Sequence, residues 1–154
     1  MSMIQQLIRE GLVTSVDAKT ASVRVTFPDR DNLVSAALPV LIPATSNKFF
    51  ALPSVGDSVL CLMTPNAQDG TGYVLGSFYH DKTPPPTDKQ HQTLIRFKDG
   101  TRLCYDDKAH RLEVSVAGEV FISGDTIHIQ ADDDVFISGE RVVLSGATET
   151  KVID

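Results

Sequence analysis

The chain has 154 residues, which is enough for one ordinary domain or for a small domain with an extension. Apolar residues make up 42% of the sequence, as in a folded protein, but aromatic residues contribute only 6% and Trp is absent. A core must therefore be built mainly from Val, Leu and Ile. No segment is apolar over a length that could span a bilayer, and the N-terminus lacks the apolar run of a signal peptide, so we expect folding in the cytoplasm.

The net charge of -6 is unevenly distributed along the chain. Residues 1–111 contain 12 basic and 11 acidic residues, whereas residues 112–154 contain 2 basic and 9 acidic residues. Nucleic-acid phosphates require clustered Lys and Arg, so this acidic region is not expected to bind nucleic acid. Its acidity is mainly an aid to solubility.

Residues 1–10 are predicted to form a short docking helix. Met3, Ile4, Leu7 and Ile8 would lie on one helical stripe. A helix of about two turns is too short to be stable alone in water. We therefore expect it to dock on its own domain or on a partner.

From residue 11 the apolar period changes to two, which predicts strands. About five short strands separated by long loops occupy residues 11–80, and this number and size favour a five-stranded OB-fold barrel. Gly72 and Gly76 are predicted to mark a bulge or close packing. One strand carries its apolar residues on a single face: Val23, Val25 and Phe27.

Residues 81–93 include three consecutive prolines and form an extended, polar linker in this prediction. The domain boundary is placed there. Residues 94–154 begin with a hairpin signal at Asp99 and Gly100, and continue as short alternating runs separated by bends.

The most informative feature is a repeat within residues 94–154. The pentapeptide VFISG occurs at Val120–Gly124 and again, fifteen residues later, at Val135–Gly139. Each copy is followed by a second apolar alternation, and a bend between them would return the same face to the inside. Phe121 and Phe136 have the opposite parity, so the sequence leaves open which face they occupy. The residues predicted for the inner face are Val114, Val116, Val120, Ile122, Ile127, Ile129, Val135, Ile137, Val142 and Leu144.

A single chain cannot complete this repeated region. A repeat array usually needs at least about three units, and the chain has two. Unpaired and buried backbone groups would cost roughly 1–3 kcal/mol each. Three identical chains wound around one axis would supply the missing pairs, which predicts a homotrimer with an intertwined triple-stranded β-helix. The alternative is one or two hairpins packed back on the barrel.

No residues in the sequence form a recognisable catalytic constellation, and we predict neither an enzyme nor a cofactor. Cys61 and Cys104 lie in apolar runs and are interpreted as reduced, partly buried residues. His128 is a lone histidine on a strand, so no metal site is assigned to it. The three acidic residues 132–134 lack the spacing of a calcium loop and are interpreted as a solvated turn.

Several motifs, taken in order, resemble the phage baseplate assembly protein V family, the central spike of contractile tails. The most distinctive are P-x-V-G-D-x-V at Pro53–Val59 and Y-V-L-G-S-F-Y at Tyr73–Tyr79, followed by RFKDGTRLCYD and the V-x-I-x-G repeats. The resemblance covers nearly the whole chain. It implies an OB-fold barrel that trimerises on a tail hub protein, and a β-helix spike that is driven through the target outer envelope.

The resemblance also implies where the protein works and with what. The location would be the baseplate of a virion or a related tail particle, assembled in the host cytoplasm. Many family members end in a His-x-His tip that holds iron, but this chain has no such motif, so the metal is not carried over. A separate tip protein, similar to PAAR-repeat proteins, is the hypothesis for the exposed end. The alternative function is an OB-fold module that binds single-stranded nucleic acid or oligosaccharide.

Overall fold

The computed structural model describes residues 7–65 and 70–146 and is all-β in this part of the chain. The chain divides into two compact units, Met1–Gln90 and His91–Asp154, here called the N-terminal unit and the C-terminal unit. Each contains one antiparallel sheet. Among the described residues there is no helix with the length and apolar character that crossing a membrane requires.

The sheet of the N-terminal unit is built around the long strand β1, which pairs with β2 on one side and β5 on the other. The sheet order is β3-β2-β1-β5-β6, and β4 also pairs with β2. Val40, directly after β4, forms a parallel bridge with Val74 of β6, and the N–H of Leu41 donates to the carbonyl of Val74 at 2.9 Å. The contacts between strands therefore continue from β1 to β2, β4, β6 and β5 and then back to β1, which makes a closed circuit. The strands are β1 (Ile8–Asp17), β2 (Ser22–Phe27), β3 (Leu33–Val34), β4 (Leu38–Pro39), β5 (Ser58–Met63) and β6 (Gly72–Ser77).

The core of this unit consists of aliphatic residues that alternate along the strands. Val23, Val25 and Phe27 of β2 are all buried, as their alternation predicts. The other members of the buried apolar cluster are Val13, Leu38, Val59, Cys61, Met63 and Val74. Because this cluster lies within one chain, the N-terminal unit has a hydrophobic core of its own.

The predicted docking helix is wrong for residues 8–10, because β1 begins at Ile8. Ile8 pairs with Leu62 and Glu10 with Leu60 across the β1–β5 ladder. Arg9 faces the other way, and its guanidinium carbon lies 5.4 Å from the centre of the Phe27 ring. The backbone hydrogen bonds that β5 offers decide the conformation here. The predicted helix residues Met3 and Ile4 lie outside the described part of the chain.

Gly72 and Gly76 have different structural roles, as the sequence suggested. A Cβ atom at Gly72 would lie 2.3 Å from the carbonyl oxygen of Leu62, so the strands approach too closely there for any side chain. Near Gly76 the β5–β6 register shifts, because Leu60 pairs with Gly76 whereas the next residue, Cys61, pairs with Val74. One residue of β6 is therefore extra, which is the signature of a β-bulge.

The sheet of the C-terminal unit is an antiparallel meander in the order β7-β8-β9. The predicted hairpin is present: Gly100 has a φ of +91°, and the N–H of Thr101 donates to Asp99 Oδ1 at 2.9 Å. The strands are β7 (Gln92–Arg96), β8 (Arg102–Asp106) and β9 (Arg111–Ser115). The first strand starts at Gln92, so it includes the last two residues of the predicted linker, 92 and 93.

Residues 116–146 contain no strand, although the sequence predicts short strands there. A strand is recognised by its hydrogen bonds to a neighbour, and the described residues provide no neighbour for this segment. The segment from residue 118 to residue 145 is here called the ribbon.

Candidate functional site

The ribbon exposes its apolar side chains, and the pattern of exposure repeats every fifteen residues. The exposed fractions of matching residues nearly agree: Val120 58% and Val135 51%, Ile122 71% and Ile137 68%, Ile127 51% and Val142 53%, Ile129 73% and Leu144 79%, Phe121 83% and Phe136 89%. The two sequence copies therefore expose their matching side chains to nearly the same degree. Such a repeat indicates a regular structural unit.

The bends of the ribbon repeat with the same period. The backbone bends at residues 117–118 and 125, and again at residues 132–133 and 139–140. Gly124 directly precedes the bend at residue 125 and Gly139 is the first residue of the equivalent bend, and a Cβ atom at either would lie 3.6–3.8 Å from the carbonyl oxygen two residues ahead. The ribbon is therefore a series of short extended segments joined at evenly spaced corners.

The backbone of the ribbon has no partner within residues 7–65 and 70–146. No residue from 118 to 145 forms a hydrogen bond or an ion pair with another described residue. Every residue in that range is also exposed. An extended chain with apolar side chains and free backbone groups on both edges is a surface for pairing with other strands.

The residues predicted for the trimer core are found in two settings. Val114 lies on β9 and is exposed, and Val116 follows the strand and is half-buried. The other eight lie in the ribbon, and all of them are exposed. Phe121 and Phe136 are the most exposed of the ribbon's apolar residues, and the single chain leaves their face open. Residues 147–154, where a tip would begin, lie outside the described residues.

Sequence reasoning identified only Val114 of a second apolar surface, which lies on one side of the β7–β9 sheet. Ile95 pairs with Leu103, which pairs with Val114, and Tyr105 pairs with Leu112. Directly opposite residues in antiparallel strands share a face, so these five residues form one surface, here called the apolar face. All five are exposed. The alternation of apolar residues along β7 and β8 could have indicated this surface, because alternate residues on the two strands of a hairpin share one face.

The other side of the same sheet, here called the charged face, is satisfied within one chain. Glu113 forms ion pairs with Arg102 and Arg111, and the Gln92 side-chain amide donates to Asp106 Oδ2 at 3.0 Å. The hydrogen bond and charge of Arg102 hold the pKa of Glu113 below its usual value.

The pKa of Asp106 is also lowered. Its largest cause is the hydrogen bond from Gln92, with smaller contributions from backbone N–H groups and from His91. Both carboxylates therefore favour the folded sheet when they are ionised.

The N-terminal unit carries its own exposed apolar patch, on the outer side of β1, β5 and β6. Ile8 of β1 and Leu62 of β5 are 53% and 41% exposed, and Tyr73 of β6 pairs with Leu62. Leu7 lines a small cavity of about 200 Å³ together with Leu62 and Tyr73. The two predicted hub-docking residues that the structure describes, Leu7 and Ile8, therefore lie at this outer patch, which continues to Leu75.

A Ser–His pair lies in an open groove of about 600 Å³ in the N-terminal unit. Ser58 Oγ is 3.0 Å from His80 Nε2, and the N–H of Lys82 donates to His80 Nδ1 at 3.2 Å. A neutral His80 that accepts at Nδ1 carries its proton on Nε2 and donates it to Ser58. A serine nucleophile needs the reverse arrangement, in which Nε2 is the base that accepts the hydroxyl proton.

Residues with potential for metal or thiol chemistry are dispersed. No cluster of three or more His, Cys, Asp or Glu side chains suited to a metal ion occurs among residues 7–65 and 70–146. His128 is exposed on the ribbon. Cys61 and Cys104 are both free and buried, and burial raises the pKa of Cys61 to about 11, which keeps that thiol protonated.

Comparison with known proteins adds no relative to this description: no protein-family model matches the chain, and no curated protein matches it either.

Proposed function

We propose that this protein is the trimeric central spike of a contractile-tail baseplate. In this proposal the C-terminal unit forms an intertwined triple-stranded β-helix, which is pushed through the target cell envelope when the sheath contracts. The N-terminal unit attaches the trimer to a tail hub protein. The protein is then a structural component of a phage or related injection particle, assembled in the host cytoplasm.

The single observation that carries the proposal is the ribbon. It repeats its pattern of exposure every fifteen residues, exposes its aliphatic side chains and has no hydrogen-bonded neighbour among the described residues. A stable fold buries most of its large apolar side chains. The ribbon alone leaves all of them exposed, so in this proposal it is a component of a larger assembly.

Three ribbons around one axis would bury these side chains and would pair the backbone groups between chains. Each short segment would have neighbours above and below it on the other two chains, and the corners at residues 125 and 139–140 would turn each chain around the axis. The aliphatic residues of the predicted trimer core would then meet inside. Acidic residues such as Asp125 and Glu140 would remain in water, where their negative charges keep the particle soluble.

The connectivity of the N-terminal unit supports an OB-fold barrel. Its closed circuit of pairings, β1 to β2 to β4 to β6 to β5 and back to β1, uses five strands, and the β4–β6 contact at Val40 and Val74 is parallel. We therefore propose that these five strands form an OB-fold, which is a five-stranded Greek-key barrel of about this size. Such a barrel would hold the outer patch, including Ile8, in position for the hub or for a neighbouring barrel.

The mechanical role follows from the interior of the proposed spike. A continuous aliphatic interior and hydrogen bonds between chains resist local unfolding, because opening one segment breaks contacts with two other chains at once. Opening one level of the spike would expose apolar surface on all three chains, and each chain would contribute a cost of roughly 25 cal/mol per Å². This stiffness would transmit the force of the contracting sheath to the envelope.

The test of the proposal is the mass of the purified chain in solution. Each chain has a mass of 16.7 kDa, so a trimer has a mass of about three times 16.7 kDa, or 50 kDa. We expect light scattering to give the trimer mass, and the trimer to persist on heating in detergent. A soluble chain of 16.7 kDa with the ribbon packed on itself would refute the proposal.

A binding measurement separates the alternative module from the spike. Single-stranded nucleic acid would need a groove of free basic residues, but Arg24 donates to the carbonyl of Ser35 at 3.1 Å and is already engaged. Salt-sensitive binding of an oligonucleotide by the N-terminal unit would favour the alternative. We expect no such binding at either low or high salt.

A further inference from the structure

We infer that the apolar face of the β7–β9 sheet is a second interface between copies of this chain, upstream of the ribbon. The inference rests on the proposed trimer and extends it to residues for which the sequence repeat gives no indication. The occupant of the face is the same face of the neighbouring copies.

The apolar composition of this face leads us to expect that another layer of protein packs against it. Ile95 is 52% exposed, Leu112 is 64% exposed and Val114 is 57% exposed, and no element within the described part of the C-terminal unit covers them. The face has no charged residue, since the remaining position in register with Tyr105 and Leu112 is Thr93. A three-stranded sheet normally buries such a face against a second layer.

Symmetry explains why the cover is a copy of this chain. A rotation axis brings identical residues close together, so a face that carries charges would meet like charges. The charged face would bring Arg102 and Arg96 near their own copies, and these two already lie opposite each other in the ladder. The apolar face has no charge to repel its copy, and it can therefore meet itself without a desolvated like-charge pair.

Continuity with the ribbon supplies the necessary area. Strand β9 carries Leu112 and Val114 on the apolar face and leads into the ribbon three residues after its end at Ser115. Stable interfaces usually involve about 20–30 residues on each side, more than the five on this face provide. The apolar face and the ribbon follow each other along the chain, so an interface that includes the ribbon can extend to the apolar face.

Two substitutions in neighbouring positions of β7 test the inference in the full chain. Ile95→Glu places a carboxylate on the apolar face, and we expect the trimer to dissociate at a protein concentration at least tenfold higher than for the wild type. Arg96→Glu places the same residue on the charged face opposite Arg102. We expect this matched control to associate like the wild type, because opposite charges across a ladder are tolerated.

A fluorescence reporter keeps the test decisive if Ile95→Glu fails to fold. The chain has no Trp, so Tyr105→Trp introduces a single reporter on the apolar face. We expect its emission to lie at shorter wavelength and to be quenched several-fold less by acrylamide than that of Tyr79→Trp, a position 64% exposed in the N-terminal unit.

The outcomes separate the inference from the proposal on which it rests. A monomeric wild-type chain would overturn the trimer and the inference with it. A trimeric wild type in which Ile95→Glu associates normally, and in which the reporters at positions 105 and 79 are quenched alike, would overturn the inference alone.

Discussion

Ser35 shows how one side chain replaces part of a backbone ladder at the edge of β2. Its hydroxyl accepts a hydrogen bond from the N–H of Val25 at 3.0 Å and donates to the carbonyl of Ala36 at 2.6 Å. Its own N–H donates to the carbonyl of Val25 at 2.8 Å. The residue is almost fully buried, so water cannot substitute for the hydroxyl.

Removal of this hydroxyl should destabilise the N-terminal unit. In Ser35→Ala the buried N–H of Val25 loses its acceptor, and we expect the free energy of unfolding to fall by about 1–3 kcal/mol. Ser15→Ala, at an exposed position of β1, should change it by less than about 0.5 kcal/mol. Urea unfolding of both variants measures the difference. Equal stability of the two variants would show that the hydroxyl is dispensable.

Ile129 is the residue at which the proposed trimer core can be tested most directly. Ile129→Lys would place three ammonium groups around one axis, each at a desolvation cost of several kcal/mol, and we expect no trimer to form. His128→Lys adds the same charge one residue earlier, on the opposite face of the segment, and should still assemble. Light scattering distinguishes the two. A heat-resistant trimer of Ile129→Lys would contradict the assigned inner face.

At the scale of the element, the charged face makes the β7–β9 sheet sensitive to acid. The pKa values of Glu113 and Asp106 are both lowered in the folded sheet. Their contribution to stability is therefore fully present above the ordinary carboxyl pKa of about 4, and it is lost as the pH falls through the lowered folded-state values.

Substitution of both carboxylates should remove this dependence. We expect the double variant Asp106→Asn, Glu113→Gln to lose less thermal stability than the wild type when the pH falls below about 4. Asp107→Asn is the control, because Asp107 has no ion pair among the described residues. Thermal unfolding of the C-terminal unit over a series of pH values measures the effect. Parallel pH profiles for the wild type and the double variant would contradict it.

The elements that sequence reasoning identified correctly are those whose local pattern agrees with their pairing. In β2 the alternation of Val23, Val25 and Phe27 coincides with burial, and the Asp99-Gly100 turn has the positive φ that Gly favours. The helix predicted for residues 8–10 was wrong because so short a segment fits both a helical and an alternating pattern. Pairing with β5, some fifty residues later, decides between them, and no local pattern contains that information.

For the whole molecule, the sequence repeat revealed the ribbon, but the apolar face of the sheet before it remained hidden. The repeat is visible because matching residues such as Ile122 and Ile137 recur at a fixed spacing. The apolar face has no such repeat, and its five residues come together only through the β7–β8–β9 register. Both surfaces lack a partner within the described chain, which is the reason that a single sequence could suggest an assembly but could not describe its contacts.

The two units should therefore unfold in different ways. The N-terminal unit buries its apolar cluster within one chain, so its thermal transition should depend little on protein concentration. In the proposed trimer the C-terminal unit gains its burial from other copies, so its transition should move to higher temperature as the concentration rises. For a trimer, each tenfold increase in concentration favours assembly by about 2.7 kcal/mol per trimer, because two association steps each gain about 1.4 kcal/mol.

Calorimetry over a hundredfold range of concentration measures this prediction, and hydrogen exchange followed by peptide mass spectrometry assigns each transition to a unit. We expect amides of the ribbon to exchange slowly in the assembled protein, because the proposed trimer pairs them with another chain, and to lose their protection on dilution before those of β2 and β5. Rapid exchange of the ribbon at every concentration would mean that its backbone has no partner. Protection independent of concentration, at the mass of a single chain, would mean that the partner is the chain itself.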